Sequence, residues 1–402
     1  MRLTASRASI TSSGGAVLDA IQQEDPTLDL NFEETKTLTD DVSGNNLVTF
    51  SRASSGTYVG SDGLIKTAVT DAPRFDHDPV TGESLGLLIE ESRTNLLTYS
   101  EEFDDGSYLT AANGGLVVPT KTPNQATAPD GSLTADKIDY PAVSAAGTYS
   151  LIYRNAVTLS GSHSSSIYLR GAVGGEKVYL YYIVDGIYSN TLCTLTTEWQ
   201  RFSVIFTGGT LSYWHLGVDL RSGSGQVAQS ASTIYAWGAQ VEANASFPTS
   251  YIPTSGSTVT RAADIATIEG TNFSSWYNQS EGTVFVDRTF NINNGQTYYF
   301  TDSILTANRI RLEGINHYGN NSSDGSFFGG SVVGNKTALG LQTDNVSVNG
   351  GTPNTSFTMP SSLDRLFIGR HPTVSSYLNG NIARLTYYPY RLPDATLQEI
   401  TS

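Results

Sequence analysis

The sequence predicts an all-β protein built from tandem β-sandwiches, and both its composition and its patterning support this class. Only 15% of the 402 residues are charged, whereas 39 are glycine and 22 are tyrosine. Aromatic residues favour strands, and glycine favours the tight turns that join them. Apolar residues keep a helical spacing only in the last ten residues of the chain.

The candidate domain boundary lies between Thr233 and Asp264. This stretch opens as a strand, and Pro248 and Pro253 then end the strand because proline has no N–H to donate. A polar run follows, and a new apolar segment begins at Ile265. Because 402 residues exceed one ordinary core, two to three domains are expected. We predict a flexible arm over residues 1–26, a β module over 27–103, a jelly roll over 104–260 and a second sandwich over 264–402.

Charge, apolar patterning and cysteine content argue against several kinds of partner, membrane segment and cross-link. The net charge is −15, and no cluster of Lys and Arg is present to neutralise phosphates, so we expect neither nucleic acid nor an anionic membrane as a partner. No apolar run reaches 18 residues, which argues against membrane insertion. The first fifteen residues lack the apolar core of a secretory signal peptide. Cys193 is the single cysteine, so an intrachain disulfide is excluded.

The N-terminal quarter carries the most specific sequence motifs. The segments SRASSGTYVGSDGLIKTA, PRFDHDP and GLLIEESRTNLL follow one another between Ser51 and Leu97. Together they resemble the N-terminal module of a family of tailed-bacteriophage virion proteins, described as head-spike, tail-fibre or tail proteins with lectin-like ends. The stretch SYIPTSGSTVTRAAD, which begins at Ser250, resembles a segment that recurs in the same structural proteins. Arg74, Glu90 and Arg93 lie in these motifs, and we interpret them, together with Asp76, as a structural ion-pair network.

This resemblance implies a virion location. The N-terminal region would be an attachment region that contacts other virion proteins of the head, neck or tail. The protein would be assembled in the bacterial cytoplasm and would lie on the exterior surface of the virion. Related phage appendages are commonly trimeric, so the resemblance also implies a homotrimer.

Two further resemblances concern the sandwiches. The segments SSSIYLRG, TTEWQRFSVIFTG and IYAWGAQVE resemble those of galactose-binding-like carbohydrate-binding modules, which have a jelly-roll fold. The ending LDRLFIGRHP and LNGNIARLTYYPYRLPDATLQEI resembles the closing strand and helix of concanavalin A-like (laminin G-like) lectin domains. The second sandwich is accordingly expected to be concanavalin A-like.

Strand periodicity identifies candidate carbohydrate-binding residues in the predicted strand 211–220. Trp214, Leu216 and Val218 share one apolar face, which we predict to be buried. The opposite face combines an aromatic ring, an imidazole and a carboxylate, the groups that sugar recognition uses. The alternative interpretation is an ordinary solvent-exposed face. The candidates on this face are Tyr213, His215 and Asp219, and Tyr179 and Tyr181 of a neighbouring strand could join it.

Catalytic and metal sites are not predicted with comparable support. A glycoside hydrolase needs two carboxyl groups at a defined separation, and no carboxylate run at strand spacing occurs, so no catalytic residue is assigned. No cofactor is expected other than a structural Ca²⁺. The candidate calcium ligands are Asp76, Asp78 and Asp324, and the alternative for them is a simple Asx turn.

These observations predict a non-enzymatic structural appendage of a tailed phage virion (a fibre, spike or decoration) that binds glycans of the host surface. Two alternatives stay open at this stage. One is a polysaccharide depolymerase, and the other is a purely structural decoration of the capsid, neck or tail that binds no ligand.

Overall fold

The computed structural model describes residues 25–289, 295–303, 308–320, 326–327, 335–373 and 376–402, and within them the chain is nearly all-β, as predicted. The N-terminal elements are β1 (Leu28–Asn31), α1 (Phe32–Thr35), β2 (Thr49–Ser51), β3 (Gly56–Val59), β4 (Ile65–Ala68), β5 (Phe75–His77), β6 (Ser84–Ile89) and β7 (Arg93–Asn95). The middle strands are β8 (Leu109–Ala112), β9 (Thr120–Ala126), β10 (Ala135–Tyr140), β11 (Tyr149–Val157), β12 (Ser162–Gly171), β13 (Lys177–Val184), β14 (Ile187–Thr194), β15 (Gln200–Thr207), β16 (Ser212–Asp219) and β17 (Ser232–Ala243).

The C-terminal elements complete the described chain. They are β18 (Val259–Arg261), β19 (Ile265–Glu269), α2 (Thr271–Ser274), β20 (Glu281–Arg288), β21 (Gln296–Thr301), β22 (Arg309–Glu313), β23 (Asn316–Asn320), β24 (Ser326–Phe327), β25 (Lys336–Gln342), β26 (Ser347–Val348), β27 (Arg365–Ile368), β28 (Gly380–Tyr388) and α3 (Asp394–Ile400). No helix among these residues is long and apolar enough to cross a membrane.

The middle strands form a sandwich of two antiparallel sheets. One sheet has seven strands, in the order β15-β12-β17-β10-β9, with β7 also paired to β17 and β18 to β7. The other, the five-stranded sheet, has the order β14-β13-β16-β11-β8. Apolar side chains that alternate along the facing strands fill the space between the two sheets. Trp214 and Leu216 lie in this core, and Val218 is buried beside them, as the alternation predicts.

The C-terminal strands form a second sandwich, but they do not form it alone. One of its sheets has the order β26-β25-β20-β28-β6-β5, with β1 also paired to β28, and the other has the order β2-β19-β27-β21-β22-β23-β24. The N-terminal strands therefore lie in both sheets: Leu28 pairs with Tyr387 and Ile89 with Gly380 in the first, and Ser51 pairs with Ile265 in the second. The core of this sandwich includes Leu28, Leu30 and Phe32 together with C-terminal residues.

This pairing differs from the predicted division of the chain at residues 103 and 264. The middle sandwich is inserted between β7 and β18, which pair with each other through Arg93 and Arg261. A local sequence pattern shows which face of a strand is buried, but it does not identify a distant pairing partner. The predicted arm over residues 1–26 lies outside the described residues, apart from its last two.

A buried ion-pair network joins the N-terminal strands to the C-terminal sandwich. Arg74 bridges Glu90 and Asp264 at 2.8 and 2.5 Å, and Arg52 lies 3.1 Å from Asp264. Arg261 also pairs with Glu90. Burial alone raises the pKa of Glu90, but the guanidinium groups of Arg261 and Arg74 outweigh it and lower that pKa to about 2. The structural interpretation of Arg74 and Glu90 is therefore confirmed.

The other two residues of that interpretation make separate contacts. Arg93 pairs with Glu91, and its Nη1 donates to the Ala243 carbonyl at 2.8 Å, which links it to the end of β17. Asp76 accepts a hydrogen bond from the backbone N–H of Val59 at 2.6 Å and belongs to no ion pair among the described residues.

Candidate functional site

A groove lies on the outer face of the five-stranded sheet, opposite the core of the middle sandwich. Neighbouring strands bring their outward-facing residues into line, because Tyr181 pairs with His215, and His215 pairs with Tyr153 on the other side. The open cavity has a volume of about 580 Å³. Four half-buried tyrosines, one histidine and one arginine supply most of its polar atoms: Tyr149, Tyr153, Tyr188, Tyr213, His215 and Arg221.

The floor of the groove is a set of nearly parallel rings. The imidazole of His215 stacks on Tyr181 with 4.6 Å between centroids, and Tyr153 lies 6.1 Å from His215 on a plane tilted by 23°. The Tyr188 ring lies 6.3 Å from Tyr181 and is tilted by 19°. Rings stacked in this way cover each other's faces, so the stack makes a rigid floor, and the half-exposed tyrosines beside it present ring surface and hydroxyl groups to the cavity.

His215 is held as a neutral ring. Its Nδ1 lies 3.1 Å from the carbonyl oxygen of Tyr213 and must donate to it, because a carbonyl oxygen can only accept. Burial, together with the nearby positive charge of Arg221, lowers the pKa of His215 to about 3. The imidazole therefore contributes an uncharged aromatic surface at neutral pH.

Asp219 does not occupy the position expected from the sequence. Its side chain is fully buried, and the Arg221 Nε donates to its two carboxylate oxygens at 2.8 and 3.0 Å. The Tyr181 hydroxyl also donates to Asp219, at 3.4 Å. The strand alternation predicted that this carboxylate would contact a ligand directly. The structure corrects this prediction, because Asp219 lies beneath Arg221 and Tyr181 and holds both side chains in position.

Tyr179 and Tyr181 share the face with Tyr213, as proposed, but both are buried. The Tyr179 hydroxyl accepts a hydrogen bond from the backbone N–H of Val227 at 3.2 Å, so the segment after β16 covers this end of the sheet. Of the five candidate residues, Tyr213 keeps a half-exposed ring, whereas His215 lines the groove with only 5% of its surface exposed.

Sequence reasoning missed Tyr149, Tyr153, Tyr188 and Arg221. A signal existed for the first two, because Tyr149 and Tyr153 are four residues apart on one strand and so face the same side. Arg221 gave a weaker signal. It follows the end of β16 by two residues, and its side chain is 38% exposed. Its pairing with Asp219 holds the guanidinium carbon 4.4 Å from the centroid of the Tyr149 ring.

Two of the candidate calcium ligands, Asp76 and Asp78, lie among the described residues, and each accepts hydrogen bonds from backbone N–H groups. One Asp78 oxygen accepts hydrogen bonds from the backbone N–H groups of Val80 and Thr81, both at 2.8 Å, which is the Asx turn of the alternative interpretation. Asp324 lies outside the described residues. Within the described part of the chain, no group of three or more His, Cys, Asp or Glu side chains is placed to hold a metal ion.

Comparison with known proteins gives only a general likeness. No family model and no curated protein matches the chain. Among solved structures, a family 11 carbohydrate-binding module from Clostridium thermocellum, in complex with a β-1,3-1,4-mixed-linked tetrasaccharide, is 8% identical. The match covers 38% of this chain and 96% of that one, with a TM-score of 0.28.

Two other solved structures show the same degree of likeness. A tandem of family 22 carbohydrate-binding modules from Paenibacillus barcinonensis is 10% identical over 75% of this chain and 99% of that one, with a TM-score of 0.27. A sialidase from Trypanosoma rangeli in complex with the inhibitor DANA is 12% identical over 66% and 60%, with a TM-score of 0.24. TM-scores of this size support no functional or residue-level correspondence.

Proposed function

We propose that this protein binds glycan chains, without cleaving them, through the ring-lined groove of the five-stranded sheet. The observation that carries the proposal is the row of four half-exposed tyrosines around an open cavity, whose floor is the stack of His215 on the buried Tyr181. A sugar ring presents C–H patches that stack on aromatic surfaces and hydroxyl groups that need hydrogen-bond partners. The half-exposed tyrosines supply both kinds of contact.

The dimensions of the groove favour an oligosaccharide over a single sugar. Its lining residues come from all five strands, from Tyr188 on β14 to Ala111 on β8. Five adjacent strands span about 19 Å, because neighbouring strands lie roughly 4.8 Å apart. A glycan chain that crosses the strands would therefore contact several rings at once.

Binding without cleavage is supported by the carboxyl groups at the site. A retaining or inverting glycosidase uses two carboxyl groups that flank the scissile bond. Asp219 is the carboxylate beneath the groove, and its contact with Arg221 occupies it. Among the described residues that line the cavity, Arg221 is the one charged side chain.

A position on the exterior of a tailed-phage virion is the second part of the proposal, and the sequence resemblance between Ser51 and Leu97 supports it. Many copies on one particle would raise the apparent affinity for a host surface without any new contact. Attachment to other virion proteins through the N-terminal region and assembly as a homotrimer belong to the same proposal. Immunogold labelling of virions tests the location, and light scattering of the purified chain tests the trimer.

The binding proposal is tested with purified protein and immobilised host surface polysaccharide. We expect retention of the wild-type protein and loss of retention when Tyr153 and Tyr213 are both replaced by alanine. Tyr235→Ala is the matched control, because Tyr235 is a half-buried tyrosine on the opposite sheet. Retention with shortening of the polysaccharide would favour a depolymerase. Absence of retention across a panel of host polysaccharides would favour a purely structural decoration.

A further inference from the structure

We propose that the groove selects acidic saccharides, and that Arg221 is the residue that binds the sugar carboxylate. This inference rests on the proposed glycan binding and adds the class of ligand to it. Three features of Arg221 carry the inference. Its guanidinium group has a defined orientation, and neighbouring groups support it rigidly. It is also the single charged side chain among the described residues that line the cavity.

The orientation follows from the hydrogen bonds to Asp219. Arg221 uses Nε, at 2.8 and 3.0 Å, and Nη2, at 2.5 Å, to hold the buried carboxylate. A guanidinium group has five N–H donors in a planar fork, so the edge formed by Nη1 and the second hydrogen of Nη2 points away from Asp219. Nη1 and Nη2 can donate two parallel hydrogen bonds from this second edge to another carboxylate.

The support makes that edge rigid. The guanidinium carbon lies 4.4 Å from the centroid of the Tyr149 ring, and the backbone N–H of Arg221 donates to Asp219 at 3.1 Å. The Arg221 side chain therefore has its backbone, its inner edge and one planar face fixed before any ligand arrives. A donor that is already ordered loses less conformational entropy on binding.

The exposure of the pair is unequal, which determines what a ligand meets. The Arg221 side chain is 38% exposed, whereas the Asp219 side chain is fully buried beneath it. A saccharide in the groove would contact the cation and would not reach the anion. A neutral sugar can satisfy the guanidinium N–H groups with hydroxyl oxygens, but a carboxylate accepts two parallel hydrogen bonds from them and brings the opposite charge.

The test compares matched pairs of saccharides on the wild-type protein. Each acidic oligosaccharide of a uronate- and sialate-containing panel is presented beside its carboxyl-reduced derivative, which keeps the ring and its hydroxyl groups. We expect the acidic member of each binding pair to bind about 10- to 100-fold more tightly. Equal or weaker binding of the acidic member would overturn the inference and leave glycan binding intact. Absence of binding to every member would overturn the proposed function itself.

Variants assign the selectivity to Arg221. In Arg221→Gln we expect the preference for the acidic member to disappear, so that both members of a pair bind with the same, weaker affinity, and thermal denaturation checks that the variant is folded. Arg221→Lys keeps a positive charge beside Asp219 but lacks the planar fork, so an intermediate preference is expected. An unchanged preference in Arg221→Gln would show that another group recognises the carboxylate and would overturn the assignment.

Discussion

The imidazole of His215 lies almost parallel to the phenol ring of Tyr181, with 4.6 Å between the ring centroids and 10° between the planes. The two residues pair across β13 and β16, so the strand register itself creates the stack. The Tyr181 hydroxyl donates to Asp219, which in turn holds Arg221. The stacked rings and the arginine therefore form one connected unit at the base of the groove.

This stack makes stability sensitive to acid. The pKa of His215 is about 3 in the folded protein, below its ordinary value of 6.5, because burial disfavours the charged ring. Between these values the unfolded chain binds more protons than the folded chain, so stability falls as pH decreases from 6.5 towards 3. Between pH 7 and pH 5 we expect His215 to account for a loss on the order of 2 kcal/mol of unfolding free energy.

The measurement is chemical denaturation of the wild type and of His215→Phe at pH 7 and pH 5. Phenylalanine keeps a flat ring against Tyr181 but cannot take up a proton. The variant should lose clearly less stability on acidification, although part of the loss will remain because the pKa of the buried His317 is also about 3. An identical loss in both proteins would contradict the assignment of the acid sensitivity to His215.

Adjacent aromatic residues on β16 should have opposite roles. Trp214 is 1% exposed and lies in the core, so Trp214→Ala should cost roughly 3–5 kcal/mol of stability through the cavity it leaves. Tyr213 faces the groove, so Tyr213→Ala should leave the unfolding free energy nearly unchanged. If the Tyr213 ring is a central anchor, its loss should weaken glycan binding by about 1–3 kcal/mol.

Thermal denaturation and affinity electrophoresis on host polysaccharide separate the two effects. If Tyr213→Ala lowers the unfolding free energy and Trp214→Ala leaves it unchanged, the assignment of the two faces is inverted.

The sequence predicted the faces of β16 because a sheet with one buried face requires strict alternation, and the alternate apolar positions Trp214, Leu216 and Val218 identify that face. It did not predict the burial of Asp219, because that depends on Arg221 and on the segment that follows the strand. The pairing of β1 with β28 was missed for a different reason. Asp29 and Arg384 form a buried ion pair although 355 residues separate them, and no local pattern links two such positions.

Close packing of β6 against β28 should make Gly86 irreplaceable. Gly86 has a φ of +85°, and a Cβ atom at this position would lie 2.2 Å from the carbonyl oxygen of Ile382. Gly86→Ala should therefore combine backbone strain of roughly 1–3 kcal/mol with a displacement of the strand. Gly82 is the matched control, because its φ is +72° but its nearest neighbour would lie at 3.5 Å.

Denaturation of both glycine variants gives the comparison. Gly82→Ala should show the strain alone, and Gly86→Ala should lose distinctly more stability. Equal losses would indicate that the contact with Ile382 is relieved at no cost.

The insertion of the middle sandwich leads to a prediction about fragments. Residues 264–402 lack β1, β2, β5 and β6, so a fragment of these residues should not fold, although the sequence predicts a domain there. Strand β28 would lose its partners on both β1 and β6, and apolar residues such as Leu385 and Ile382 would become exposed to water. Proteolysis between residues 242 and 263 should likewise release no separate C-terminal fragment under native conditions.

A shortened chain offers the decisive comparison. The residues Asn95 and Val259 pair on neighbouring strands, so their Cα atoms lie about 5 Å apart. A short glycine linker can therefore join residues 25–95 directly to 259–402 and omit the middle sandwich. This shortened chain should show the cooperative unfolding of a single sandwich, whereas residues 264–402 alone should not. Cooperative unfolding of residues 264–402 alone would contradict the proposed dependence on β1, β2, β5 and β6. It would support the division at residue 264 that the sequence favours.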